Sequence, residues 1–299
     1  MSKPINFVVP EPPAYLTVYE KVIHSMIDPI KPYLPECIES NQSISGAVNV
    51  HFFTEPTYFK KMLNPEHLNV HMPHSLGDKQ LRDAGRVMIY DYTCVSGPLW
   101  VEKMRKGNLP ENKILMIGYP KLDPLFQNRQ KAEKDPNRIR ALYAPTHVGS
   151  GACSSYSTFI NDIDKFPKDI QVSVSPHPYH KAGNLPTMNE FMDADVLISD
   201  GSSVIYEALA LGIPVVFPDW IVKDAILKSW PDTFTAQIYQ EKIGYHADRF
   251  EDMPELIREA AAKKLKEDDQ RFIDGILPSH LRGSSGKEAA KALRSLADR

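Results

Sequence analysis

The sequence predicts an α/β protein built from two doubly wound domains that face each other across a cleft. Three observations predict it. Short apolar runs alternate with helical stretches over residues 1–126, the pattern of a mostly parallel sheet covered by helices. A polar segment without a large aliphatic residue, 127–137, then interrupts the pattern and reads as a linker. Beyond it the alternation restarts, and polar residues recur just after the apolar runs, where open α/β sheets bind ligands.

Taken in order, strands are expected at residues 5–9, 47–53, 68–71, 87–90, 94–96 and 114–117. In the second domain, 138–280, they are expected at 140–144, 172–175, 196–199 and 215–217, with helices near 155–166, 185–193 and 203–211. Later helices are expected at 234–241 and 253–267. The run at 196–198 is apolar at every position, the mark of a strand buried on both faces. Asp200-Gly201-Ser202-Ser203 follows it and supplies small hydroxyls and unpaired backbone N–H groups where a helix begins. Such a turn favours a phosphate, because the first helical amides lack partners and the dipole attracts an anion. Glu207 lies one helical turn beyond Ser203 and is placed to face the same ligand. The plainer alternative is that these serines only cap the helix. Gly212-Ile213-Pro214 stops it.

The last segment, 281–299, is expected to cross back to the first domain as a helix at 288–297. Ala289, Ala292, Leu293 and Leu296 form its apolar stripe. Gly283-Ser284-Ser285-Gly286 reads as a flexible lead with a hydroxyl cap.

Composition narrows the function. With 42% hydrophobic and 24% charged residues among 299, a globular core is expected. A net charge of −3 gives no general basic surface for nucleic acid or an anionic membrane, although a local basic groove remains open. No apolar run approaches the ~20 residues of a membrane span, so no integral membrane segment is expected. The N-terminus enters a strand almost at once without a signal-peptide core, and Cys37, Cys94 and Cys153 are odd in number and lack CxxC. A cytoplasmic protein with reduced thiols is the expectation.

Metal and cofactor signatures are missing from the sequence. His67 and His71 have HxxxH spacing, but in a strand four residues span roughly 13 Å, too far for one ion. HExxH, GxGxxG, the P-loop and Gly-x-Ser-x-Gly are all absent, which argues against a zinc protease, a nicotinamide enzyme, a P-loop ATPase and a serine hydrolase.

Candidate reactive residues follow five expected strands. Tyr143-Ala144 leads to Pro145, Thr146 and His147. Val174-Ser175 leads to Pro176, His177 and Pro178. Leu197-Ile198 leads to Asp200–Ser203, and Ile117 to Gly118-Tyr119-Pro120-Lys121-Leu122-Asp123. Val70-His71 leads to His74-Ser75-Leu76-Gly77-Asp78-Lys79. His74 suits a general base, since an imidazole near neutral pKa accepts a proton from an attacking hydroxyl. Lys79 suits a phosphate counter-charge, and His71 is a weaker neighbour of His74. His177, stiffened between two prolines, suits fixed presentation to a phosphate or leaving group. His180 reads as a bystander.

With these residues in view, the chain resembles the CDP-glycerol glycerophosphotransferase family, the teichoic-acid primases and polymerases, over about residues 70–218. His74–Lys79 matches the family's histidine motif, with Ser75 replacing a glycine and no Thr-Pro. Gly118-Tyr119-Pro120-Lys121-Leu122-Asp123, Tyr143-Ala144-Pro145-Thr146, His177-Pro178 and Asp200-Gly201-Ser202-Ser203 match its later motifs in order. The resemblance implies a GT-B fold of two Rossmann-like domains, an acceptor-side domain at 1–126 and a nucleotide-donor domain at 138–280. It implies His74 as base, His177 as phosphate or leaving-group contact, Ser202 and Ser203 on the pyrophosphate and Glu207 on the ribose. Lys79, Thr146, His147, Asp200 and Gly201 complete the expected nucleotide and phosphate contacts.

The reading at this stage is a metal-independent transferase with no cofactor beyond its nucleotide-activated donor, UDP- or CDP-linked. Because basic amphipathic membrane features are missing, glycosyl transfer is favoured over glycerophosphate transfer. The acceptor is open between a glycan, a lipid-linked intermediate and a modified DNA base. Two alternatives remain. One is a sugar-nucleotide 2-epimerase using carboxylates such as Asp78 and Asp123, and the other is a non-catalytic nucleotide-binding protein.

Overall fold

A computed structural model of the chain describes residues 2–9, 17–53, 63–79, 84–128, 135, 137–177 and 187–299. It divides into two compact units. The first comprises Met1–Leu76, Gln80–Asn128 and Asp274–Arg299, and the second Gly77–Lys79 and Arg129–Ile273. Most of the expected linker, and His180 with most of the expected 185–193 helix start, lie outside the described residues; Thr187–Met192 is a 3-10 turn.

In the first unit all strand pairs are parallel and run in the order β2-β1-β3-β4-β5-β6. The strands are β1 (Ile5–Val8), β2 (Ile38–Ser40), β3 (Val48–His51), β4 (Leu68–His71), β5 (Tyr92–Val95) and β6 (Ile114–Met116). The described helices here are α1 (Thr17–Ile27), α2 (Pro98–Lys106) and α3 (Asp123–Asn128). The expected strand at 87–90 is not formed. A 3-10 turn, Ala84–Val87, stands there, with Val87 and Tyr90 buried while Met88 and Ile89 are exposed. Its apolarity reflects two inward anchors, Val87 and Tyr90, the latter donating its hydroxyl to Phe53 O at 2.6 Å.

A buried polar ladder crosses this sheet. Asn6, Asn49 and Asn69 are in register on β1, β3 and β4, as are His51 and His71 two residues further along. Asn6 Nδ2 donates to Asn49 Oδ1 at 2.9 Å, and Asn49 Nδ2 donates to Ile44 O at 3.0 Å. Asn69 Nδ2 donates to Asn64 O and His67 O, both at 2.8 Å. Each buried amide is thus satisfied by its neighbours, as burial of a polar group requires.

In the second unit the order is β11-β10-β9-β7-β8, again all parallel. The strands are β7 (Ile139–Tyr143), β8 (Ile170–Val174), β9 (Val196–Ile198), β10 (Val215–Pro218) and β11 (Tyr245–Ala247). The helices are α4 (Tyr156–Phe159), α5 (Val204–Ala210), α6 (Asp219–Ser229), α7 (Phe234–Glu241), α8 (Met253–Lys263) and α9 (Glu267–Ile276), whose end passes into the first unit. The order reverses between β7 and β9, which makes a switch point at their carboxyl ends. β9 is fully buried, matching its all-apolar run. The helix expected at 253–267 is broken, because Lys264 takes a positive φ of 67° and donates its N–H back to Ala260 O. The core joins Tyr143, Phe159, Val196, Ile198, Val216, Met253 and Ile257.

The last helix, α10 (Ser285–Ala297), is part of the first unit, which takes up the chain from Asp274 rather than 281. It buries Ala289, Ala290, Leu293, Leu296 and Ala297; Ala292, expected in the stripe, is only half-buried. Its lead is locked rather than flexible. Asp123 accepts from Gly286 N at 2.7 Å and from Ser285 N at 3.2 Å, a carboxylate cap on the first turn. Ser285 Oγ accepts from Tyr119 N at 2.8 Å and donates to Leu281 O at 2.7 Å. Gly118, at φ 80°, lies so close that a Cβ there would overlap Ser285 Oγ. The Gly118–Asp123 motif therefore docks the final helix.

Asp123→Ala is expected to destabilise the protein by about 1–2 kcal/mol, from the lost cap and two unpaired buried amides. Urea unfolding checks it, and an unchanged midpoint would remove the docking role.

Candidate active site

In the first unit the loop after β4 carries His74. The Nδ1–H of its imidazole donates to Phe52 O at 2.7 Å, because a carbonyl can only accept. That fixes the tautomer and leaves Nε2 with its lone pair, the form a general base needs. Phe53 packs against the ring at 5.0 Å between centroids, and the buried Tyr119 donates its hydroxyl to His74 O at 2.7 Å. The same tyrosine uses its N–H on Ser285, so one residue ties the histidine loop to the docked helix. Burial lowers the His74 pKa; the Phe52 hydrogen bond opposes that shift and nearby Lys121 adds to it.

His71 is a core residue. It is fully buried, its ring lies 5.1 Å from that of Tyr90, and neither ring nitrogen has a hydrogen-bond partner among the described residues. Burial, with the neighbouring His74 and His51, drives its pKa down to about 3. This placement makes the weaker neighbour of His74 a neutral core residue.

In the second unit the loops after β7, β8 and β9 converge. Asp200 is completely buried and its carboxylate ties together the loops after β7 and β9. Its Oδ1 accepts from Thr146 N at 2.8 Å and Gly201 N at 2.5 Å. Its Oδ2 accepts from Ser155 N at 2.7 Å and Ser155 Oγ at 2.8 Å. Tyr239 OH donates to Asp200 O at 2.9 Å. Asp200 was expected among the ligand contacts, but the geometry makes it the brace of the turn. Glu207, on α5, is likewise enclosed, with 1% exposure.

Ser202 is buried with 8% exposure, and Ser203, half-buried, occupies the N-cap of α5 without a side-chain cap hydrogen bond. The hydroxyls are thus not spent on capping. His147 and His177 follow the adjacent strands β7 and β8, and their rings meet edge to face at 5.2 Å. His147 Nε2 lies 3.3 Å from Ser150 Oγ.

Gly77–Lys79 belongs to this unit. Lys79 Nζ donates to Thr146 Oγ1 at 3.1 Å and sits 4.4 Å above the ring of Trp230. Burial lowers its pKa to about 8, against the pull of Asp200, Cys153 and Asp78. Asp78 is buried and accepts from Phe234 N, the first amide of α7, at 2.8 Å. Sequence reasoning missed Trp230, Ser155 and Tyr239. Trp230 and Tyr239 reach the turn from distant helices and leave no local signal. Ser155 does have one, the small-residue run Gly149-Ser150-Gly151-Ala152-Cys153-Ser154 after β7.

Two α/β units with parallel sheets and polar turns at the strand ends define a Rossmann-type, GT-B-like fold. The fold is shared with the wall teichoic acid polymerase TagF, at TM-score 0.64 and 16% identity over 98% of this chain and 88% of that one. It is also shared with the Methanocaldococcus jannaschii UDP-GlcNAc 2-epimerase, at TM-score 0.54 and 13% identity over 97% of this chain and 99% of that one. The model of the CDP-glycerol:poly(glycerophosphate) glycerophosphotransferase family matches residues 56–224, and the chain belongs to that family. A curated relative, the teichoic acid glycerol-phosphate primase of Bacillus subtilis strain 168, is 27% identical over 176 residues. That alignment spans 52% of this chain and 42% of the primase, less than half of the relative's length. Among the described residues no helix is long and apolar enough to cross a membrane.

The buried histidines make the first unit acid-sensitive. Burial holds His51 down to about 4 and His71 to about 3, from an ordinary 6.5. The unfolded chain binds their protons near pH 6.5 while the fold resists until far lower. Their contribution is therefore intact above pH 6.5 and is lost as pH falls toward 3, on the order of a few kcal/mol in total. Acid unfolding followed by circular dichroism should show this, with His71→Phe shifting the midpoint to lower pH; an unmoved midpoint contradicts it.

Proposed function

We propose that the chain transfers a glycerophosphate unit from CDP-glycerol to an acceptor hydroxyl, releasing CMP. The observation that carries this is the family match, which takes in both the His74 loop and the Asp200–Ser203 turn. It moves the electrophile from the anomeric carbon, favoured by the sequence alone, to phosphorus. The attacking hydroxyl belongs to a polymer or lipid-linked acceptor. His74 Nε2 takes its proton as the new O–P bond forms and the bond to the CMP oxygen breaks. In the donor half Lys79, His177 and the hydroxyls of Ser202 and Ser203 offset the charge gathering on the leaving phosphate. Thr146 and His147 line the same loops, while Asp200 and Gly201 shape the turn. The chemistry asks for no cofactor other than the donor.

The epimerase alternative loses its candidate acids. Asp78 is engaged at the start of α7 and Asp123 at the start of α10, so neither carboxylate is set to shuttle a proton.

Incubation with CDP-glycerol or UDP-GlcNAc and a panel of polyol-phosphate and glycan acceptors tests the reading. CMP release from CDP-glycerol is expected, whereas UDP release alone would restore the glycosyl reading. His74→Ala should lower CMP formation by about 10²–10⁴-fold with CDP affinity retained. Replacing Ser202 and Ser203 together by Ala should weaken CDP binding by about 1–3 kcal/mol in calorimetry. Full affinity in that double variant would leave the serines without a phosphate role.

A further inference from the structure

Asp78 and Lys79 are adjacent in the chain and both dock onto one short segment, Trp230 to Phe234. Asp78 accepts from Phe234 N at 2.8 Å, and the Lys79 ammonium rests over the Trp230 ring at 4.4 Å. Thr233 closes the circuit. Its hydroxyl donates to Trp230 O at 2.7 Å and accepts from Ala236 N at 3.1 Å, which fixes the tryptophan to the start of α7. The far edge of the indole packs on the phosphate turn itself: a Cβ added to Gly201 would stand 2.5 Å from Trp230 Cζ3. A single ring therefore touches the lysine on its face and the turn at its edge. Lys79 Nζ then reaches Thr146, whose own N–H is held by Asp200.

We propose that Asp78 and Trp230 are positioning residues that latch Lys79 beside the Asp200–Ser203 turn, where its ammonium receives the phosphates of a nucleoside diphosphate. This rests on the donor-binding reading above. An anion site in a largely buried turn needs a cation that is already in place, since ordering a free lysine on binding costs side-chain entropy. The indole holds that cation through its π face without neutralising it, whereas a carboxylate in the same place would compete with the ligand. Asp78 supplies the anchor instead, with its charge spent on the N-terminus of α7.

The test joins two readouts on the full chain. The first is independent of any ligand: the pH midpoint for acetylation of Lys79 by acetic anhydride, read by mass spectrometry. Trp230→Leu should release the ammonium to water and raise the midpoint toward the ordinary lysine value, with Trp230→Phe staying near wild type. The second is calorimetric binding of CDP and of cytidine. Lys79→Ala, Asp78→Asn and Trp230→Leu should each weaken CDP by roughly tenfold and leave cytidine unchanged. Adding Asp78→Asn to Lys79→Ala should cost nothing further. An unmoved acetylation midpoint in Trp230→Leu overturns the latch. So does an additive loss in the double variant, which would mean Asp78 acts on the fold rather than through Lys79. Wild-type protein that binds no CDP overturns the donor reading. The latch is then judged by acetylation and by inorganic pyrophosphate as the anion.

Discussion

The carboxylate of Asp200 is the constraint on which the loops of the second unit depend. Four donors from three loop positions converge on its two oxygens: Thr146 N, Gly201 N, and the N and Oγ of Ser155. The loops after β7 and β9 flank the switch point of the sheet, and without this bridge their backbone amides would be buried and unpaired. The bridge also sets where Thr146 offers its hydroxyl to Lys79. A buried charge is tolerable here because every lone-pair direction meets an N–H or O–H. The turn can therefore be small and glycine-containing and still be held in one conformation.

Much of this was legible in the sequence, for physical reasons. Strands buried on both faces announce themselves as unbroken apolar runs, so β9 was located almost to the residue. The edge strands β2 and β11 were not, because three residues such as Ile38-Glu39-Ser40 or Tyr245-His246-Ala247 carry no period to read. The post-strand histidines and the Asp200–Ser203 turn stood out by chemistry and position. Their division of labour did not. A buried Asp bracing a turn and an exposed Asp binding a ligand look alike in one dimension, and only the donors around Asp200 separate the two. Likewise Gly118–Asp123 was correctly singled out, but its partner is a serine 166 residues away from Tyr119.

The two halves use the same device for opposite ends. Asp78 and Asp123 each place a carboxylate on a helix start far away in sequence, α7 in one unit and α10 in the other. In the first case the contact brings Lys79 beside Trp230 and the Asp200–Ser203 turn. In the second it helps hold Tyr119, whose N–H donates to Ser285 and whose hydroxyl donates to His74 O, so the docked helix and the histidine loop share one residue.

The docking of α10 also fixes an order of events during synthesis. The first unit contains both the beginning and the last twenty-six residues of this sequence, Asp274–Arg299, and Lys3 N donates to Ala297 O at 2.9 Å. Its sheet emerges early from the ribosome but lacks the helix that packs on β1 and β3 until Ser285–Ala297 has been made. The second unit is synthesised in nearly one stretch and can close first. The unit carrying His74 thus completes its packing only with this helix, and a chain interrupted just before Ser285 holds the second unit entire but the first without its docked helix.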